Sequence, residues 1–487
     1  MIRRVSLAAA MSSAAMTLLA QPASAETLRD ALAKAYSKNP TLTAARANQR
    51  ANDENVPLAK ANGLPNASVQ GAYQEYKVRP SNDFTSPRRS VGGQLNLNVP
   101  VYQGGSVRNA VKAAETRVAA GVETLRDTEQ SVFSQTVAAY MDVIRDEAIV
   151  RLNRENVNVL EVNLQATKDR FEVGDLTRTD VAQSEARLAG ARGDLQTAEA
   201  NLTGSRETYI QLVGEAPVNL EVPPELPGLP ADPDAAVDIA VKDNPNLRAA
   251  AKQREAARQD VSAAYGARLP TLSLGATGSY QNFLDTLGSG VPGISISQTT
   301  KSVTLGVSAK LPLYQGGMPS ARVRQAQARS GQAIENEIAA ERSVVAQTRA
   351  AFASWRSSLE VIDSAKVAVE ANTLSLEGVR AENSVGNRTI LDILNAEQEL
   401  LNSQVQLVSA QRNAYVAGFT LLAAMGHAGA QELSLDTGGP LYDPSINYKR
   451  VRSHIWDWGD GPKPQPVATR TVDTPSQNPE TSATPAK

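Results

Sequence analysis

The 487-residue sequence predicts a mainly α-helical protein carrying a membrane β-barrel segment, internally duplicated so that each copy supplies two strands and one long helical hairpin. Three observations predict it. The stretch Val173-Gly174-Asp175-Leu176-Thr177-Arg178-Thr179-Asp180 is echoed by Val385-Gly386-Asn387-Arg388-Thr389-Ile390-Leu391-Asp392, with Gly174/Gly386, Thr177/Thr389, Asp180/Asp392, Glu185/Glu397, Leu188/Leu400 and Gly214/Gly426 all 212 positions apart. Each stretch interrupts a block rich in Ala, Gln, Glu, Arg and Leu that holds no proline from 101 to 216 or from 320 to 439, although the chain has 26 prolines. Ahead of each block the hydrophobic period changes from 3.6 to 2, the mark of strands with one apolar and one polar face.

The chain opens with Arg3 and Arg4, an apolar run from Val5 to Leu19 and Ala23-Ser24-Ala25, the three-part pattern of a secretory signal over 1–25. Removing it leaves 462 residues, 487 minus 25, with 47 basic and 51 acidic groups. The net charge of about −4 gives no pointer to nucleic acid. With zero cysteines there is no disulfide, thiolate metal site or lipid-bearing N-terminal cysteine. No later stretch is apolar for the roughly 20 residues of a spanning helix, so a lipid-embedded segment has to be a β-barrel.

In the first copy, 26–216, a short helix from Thr27 to Lys38 breaks at Asn39-Pro40, because the residue before proline is pushed out of the α region. A second helix is expected from Pro40 to Ala61. The same words return as Ile239 to Asp243, Asn244-Pro245 and a helix to about Ala267 in the second copy, 234–427. Strands follow at about 66–102 and 270–314. Val91, Leu95, Leu97 and Val99 alternate with Gly92, Gln94, Asn96 and Asn98; Val303, Leu305, Val307 and Ala309 alternate with Ser302, Thr304, Gly306 and Ser308. Such a pattern also fits a half-buried soluble sheet, but the flanking sequence offers nothing to cover the apolar face. Tyr73, Tyr76, Tyr280 and Phe283 are candidates for an interfacial girdle. Turn-rich segments from Arg79 to Pro87 and Asp285 to Gln298 join the strands. Four strands cannot close a barrel, for which about eight is the minimum, so the edges require further copies.

Each returning strand ends in the same joint, Tyr102-Gln103-Gly104-Gly105 and Tyr314-Gln315-Gly316-Gly317, where paired glycines permit a sharp passage into the helix. Hairpins are then expected at about 105–213, with a tip at 173–175, and about 317–425, with a tip at 385–387. An outgoing helix of about 100 Å faces a return of about 55 Å, and the missing length matches the about 33 Å of the Pro40 helix stacked end to end on the return. A proline-rich linker at 217–233 joins the copies. An equatorial segment at 428–458 and a disordered tail at 459–487 complete the chain.

The duplicated plan, the Tyr-Gln-Gly-Gly joints and Val385-Gly386-Asn387-Arg388-Thr389-Ile390-Leu391-Asp392-Ile393-Leu394 resemble the TolC family of Gram-negative outer-membrane channel proteins over about 26–427. The resemblance implies a homotrimer with a twelve-stranded barrel in outer-membrane lipid and a periplasmic helical tunnel. It also implies docking to an inner-membrane transporter, ABC or proton-driven, through a periplasmic adaptor, for type I secretion or drug efflux. By the same resemblance Arg388 links to Thr179 and Asp180 of another hairpin to hold the entrance closed, and Asp392 supplies an acidic ring favouring cations. Asn395 and Asn383 stand where the best-known member has an acidic residue and a tyrosine. On spacing alone Arg388 and Asp392 read as an exposed i,i+4 pair. Val173, Gly174, Asp175, Val385, Gly386 and Asn387 are the expected adaptor contacts. No cofactor and no enzyme activity are expected, since His427 and His454 lack metal-ligand spacing. A periplasmic adaptor or a coiled-coil scaffold is the alternative.

Overall fold

The computed structural model describes residues 25–78, 87–288, 293–459 and 461–478. Of the expected leader at 1–25 all but Ala25 lies outside them, as do most of the turn at 79–87 and part of that at 285–298. In order, α1 (Leu28–Lys38), α2 (Pro40–Asp53) and α3 (Asn55–Ala61) lead to strands β1 (Asn66–Glu75) and β2 (Arg89–Gln103), then to α4 (Ser106–Glu172) and α5 (Arg178–Val213). The second copy runs through α6 (Pro233–Asp243), α7 (Pro245–Tyr265), β3 (Thr271–Asn282) and β4 (Thr299–Lys310) to α8 (Met318–Ser384) and α9 (Ile390–Ala424). A short α10 (Pro444–Val451) follows.

The long helices α4 and α8 have 67 residues each, about 100 Å at 1.5 Å per residue. Their returns have 36 and 35. The expected single helix from Pro40 to Ala61 is instead two, α2 and α3, divided at Glu54. Pro57 has no N–H to give the Asp53 carbonyl, and its ring crowds that carbonyl, so the helix restarts with the proline in its first turn. The equivalent α7 has no internal proline and stays whole.

End-to-end stacking is made by a repeated asparagine. Asn39 caps α2, its Oδ1 accepting from the N–H groups of Thr41 and Leu42, while its Nδ2 donates to the Leu212 carbonyl at 2.9 Å in the last turn of α5. Asn244 does the same for α7, donating to the Ala424 carbonyl of α9 at 2.9 Å. Each amide therefore satisfies orphan groups of two helix ends at once.

The wall has a fixed order: the α2/α5 column, then α4, then the α7/α9 column, then α8. The main core lies at mid-height, where Phe133, Tyr140, Leu202, Tyr209, Phe419 and Met425 are fully buried or nearly so. Tyr140 donates its hydroxyl toward the Glu26 and Glu221 carbonyls, and Tyr209 toward Glu26 Oε1 at 2.9 Å. These bonds tie residue 26 and the inter-copy linker to the first hairpin. The linker also seats Leu226 and Leu229 over Gly418, where a Cβ would stand 3.0 Å from Leu226.

The sheet is antiparallel in the order β1-β2-β3-β4. Every residue of β1 and β4 is exposed, including Val303, Leu305 and Val307. Tyr73 and Tyr280 come to the same end of the sheet, opposite Val91 and Gly93. The second return was expected to reach Tyr314, but β4 stops at Lys310 and Tyr314 is exposed. The reason is pairing. β2 continues to Gln103 because Leu272 and Thr271 of β3 face Tyr102 and Gln103, whereas β3 runs out opposite Lys310.

Of the tail from 459, expected to be disordered, residues 461–478 are described, without helix or strand, and lie along the wall. They pass α2 and α10 at Pro462 to Ala468. Thr469 then lies against Gly214, and the Asn478 carbonyl accepts from Arg206. The remainder of the tail lies outside the described residues.

Candidate functional site at the hairpin tips

Each long helix ends in a Schellman turn. Gly174 has φ +83°, its N–H donates to the Phe171 carbonyl and that of Asp175 reaches back to Arg170. Gly386 has φ +84°, with donation to Asn383 and from Asn387 to Glu382. Only glycine takes this left-handed position without a Cβ penalty, which explains both echoes. The returning helices then start with capping boxes. Asp180 N–H donates to Thr177 Oγ1 at 3.3 Å while Asp180 Oδ2 accepts from the Thr177 N–H at 2.8 Å. Asp392 and Thr389 repeat it at 3.3 and 2.9 Å.

These caps set the electrostatics. The Thr177 hydroxyl, then its N–H, hold the Asp180 carboxyl below the ordinary carboxylate value. The Thr389 N–H, then its hydroxyl, do so for Asp392. Both are therefore charged at neutral pH and turned back toward the N-cap threonines that adjoin their own tips. Arg388 does not pair with Asp392 four residues on; its Nε donates to Glu382 Oε2 at 2.7 Å across the turn. Asp392 is already engaged as a cap, so the i,i+4 reading gives way to turn geometry. Asn383 Nδ2 closes the loop by donating to the Arg388 carbonyl at 2.7 Å. Thr179 stands exposed on the first turn of α5, and Val173 and Val385 are 81% and 70% exposed.

The structure brings one predicted residue into a contact between hairpins of the same chain: Asn395 Oδ1 accepts from Arg187 Nη2 at 2.7 Å. Three residues to which no role was assigned from the sequence lie close by, with Glu397 two positions beyond Asn395. Glu397 is buried on α9, accepts from Asn163 of α4 through both oxygens at 3.0 Å, and takes Arg380 Nη2 at 2.9 Å. Leu394, Val157, Leu160, Leu188 and Ala191 form the small core beside it. The 212-residue register carried the signal, since Lys168 and Glu185 make the equivalent ion pair in the first hairpin at 3.1 Å. At the joints, Gly104 and Gly105 have φ +59° and +76°, and Gly316 and Gly317 +58° and +81°. A Cβ on Gly104 would stand 2.4 Å from the Gly266 carbonyl oxygen, so that joint needs glycine for space as well as torsion.

A four-stranded sheet bare on both faces, hung on paired hairpins with outgoing helices of 67 residues, defines the subunit of an outer-membrane channel that reaches into the periplasm. The chain belongs to the outer membrane efflux protein family, whose pattern matches residues 5–215 and 236–427. It is 36% identical over 452 residues to the outer membrane efflux protein BepC of Brucella suis, covering 92% of this chain and 95% of that one. It is 29% identical to the outer membrane protein TolC of Escherichia coli K12, over 84% of each. Among solved structures, the outer membrane protein VceC of Vibrio cholerae superimposes with a TM-score of 0.70 at 23% identity, over 82% of this chain and 96% of that one. These matches favour the channel reading over an adaptor or a scaffold.

Proposed function

We propose that three copies close into a ring, giving a twelve-stranded barrel above a helical tunnel, and that the tips form its gated entrance. One comparison carries the reading. Glu397, on the side of hairpin two that faces hairpin one, has a side chain 5% exposed; Glu185, its equivalent on hairpin one, is 54% exposed. The same asymmetry runs up the wall: α4, with neighbours on both sides, buries 21 residues, whereas α8, of equal length, buries seven. The α2/α5 column and α8 are thus complementary bare edges, as are β1 and β4, and a head-to-tail interface that closes satisfies both.

In that ring the tips crowd together at the periplasmic end. Arg388, exposed and paired through Nε with the exposed Glu382, is placed to exchange that partner for Thr179 and Asp180 of a neighbouring hairpin. Asp392 supplies one carboxylate per copy to the entrance. Exposed Val173 and Val385 at the Schellman turns offer apolar contacts to a periplasmic adaptor, which links the duct to an inner-membrane transporter. Mass measurement of the protein extracted from outer membranes in mild detergent tests the assembly. Three copies are expected, and a monomer in intact membranes would overturn it.

A further inference from the structure

The C-terminal strap, residues 461–478, lies on one of the two flanks of the chain that the ring must cover, the α2/α5 column. Thr469 Oγ1 sits 2.6 Å from where a Cβ on Gly214 would be, at the end of α5. Gln477 N–H approaches Glu207 Oε1 at 3.4 Å, and the Asn478 carbonyl takes Arg206. All three anchors belong to the α2/α5 column. The internal repeat shows what stands opposite. Within the chain, α4 meets the α7/α9 column through Gln130, whose Nε2 donates to the Gly426 carbonyl at 2.8 Å, and through Glu129, which accepts from the Ala430 N–H. Gly214 and Gly426 share their left-handed torsion, φ +88° and +86°. Advancing the α4 residues by the 212-residue register turns Glu129 and Gln130 into Glu341 and Arg342 of α8, both exposed. The segment after Gly426 that α4 holds in the first seam has its register counterpart in Glu215 to Val218, and Thr469 lies beside the turn at Gly214 that opens it.

We propose that residues 461–478 form a seam strap, held between the α2/α5 column of their own chain and Glu341 and Arg342 of a neighbouring copy. This rests on the ring reading above. The Arg342 guanidinium meets backbone carbonyls at Gly214 and along the strap, and the Glu341 carboxylate meets strap N–H groups, as Glu129 meets Ala430. The strap thus seals the mid-height junction where α2 and α5 abut.

The absence of cysteine from the sequence makes a direct test clean. A Thr469→Cys/Arg342→Cys protein, treated in outer membranes with a short bismaleimide, is expected to convert from monomer to covalent dimer and trimer on denaturing gels, while each single variant stays monomeric. Ala200→Cys/Ser354→Cys reports the ring without the strap, because it is the register image of the Arg412–Asp142 contact, 2.8 Å within the chain. If that pair crosslinks between chains and the Thr469/Arg342 pair does not, the strap assignment fails and the ring stands. If neither does, both fail. A stop at Gly461 is further expected to lower the temperature at which the trimer dissociates in detergent while leaving channel conductance unchanged; an unchanged dissociation temperature would overturn the strap.

Discussion

Asn39 Nδ2 donates to the Leu212 carbonyl at 2.9 Å, so a residue that starts one helix closes the end of another separated from it by more than 170 positions. Its Oδ1 caps α2 in the same stroke, and the residue is 3% exposed. Asn39→Ala is expected to destabilise the folded protein by about 2 kcal/mol, about 1 from the lost cap and about 1 from the uncompensated carbonyl. Asn39→Asp keeps the cap acceptor and loses only the amide donor. Denaturant unfolding should rank wild type above Asp above Ala, and equal midpoints would remove the junction role.

Arg388→Ser frees Glu382 and removes the cation available to Thr179 and Asp180. Single-channel conductance in planar bilayers is expected to rise. Asp180→Ala is expected to do the same, with an added loss of about 1 kcal/mol at the tip because Asp180 also completes a capping box. Wild-type conductance in both variants would sink the gate.

Asp392→Ala is expected to reduce cation selectivity, read as a shift in reversal potential. The Asp392 carboxyl lies below its ordinary value of 3.8. A carboxylate with a depressed folded value stabilises the fold fully above the unfolded value and loses that contribution as pH falls through the folded one. Both the tip cap and the selectivity are therefore expected to be unchanged from pH 7 to pH 5 and to fail only below about 3.8. Selectivity that fades around pH 6 would point to other groups.

Glu397→Ala removes the acceptor for Asn163 and Arg380 together. Loosening of the two hairpins should appear as faster amide exchange around Val157, Leu160 and Leu188. Lys168→Ala removes an exposed pair, which in an isolated chain contributes at most about 1 kcal/mol. A larger effect of Lys168→Ala in the assembled channel than in the monomer would mark burial of Glu185 by a neighbour. No difference between the two states would count against the ring.

Most of the architecture was legible because it is written in local terms. Proline-free blocks, Gly174 and Gly386, Asn39-Pro40 and Asn244-Pro245 act through torsions and caps that need no distant partner, and duplication printed each signal twice. The misreadings were of another kind. Pro57 was a local cue passed over inside a longer helix. The end of β4 at Lys310 depends on where β3 begins, and the path of residues 461–478 depends on a surface formed by α2, α5 and α10. Within the chain Arg388 pairs with Glu382 and not with Asp392, because spacing shows which residues share a helix face, while the turn decides which of them is within reach.

By itself, then, the sequence determined the elements: two long helices, two shorter returns, four alternating strands, and tips at 173–175 and 385–387. Tertiary structure alone decided which charges meet, burying Glu397 under Asn163 while leaving Glu185 open, because that difference follows from position in the wall. The two glutamates share a register and an ion-pair partner type. Among the described residues, Glu397 is covered by the other hairpin of its own chain, and Glu185 is not.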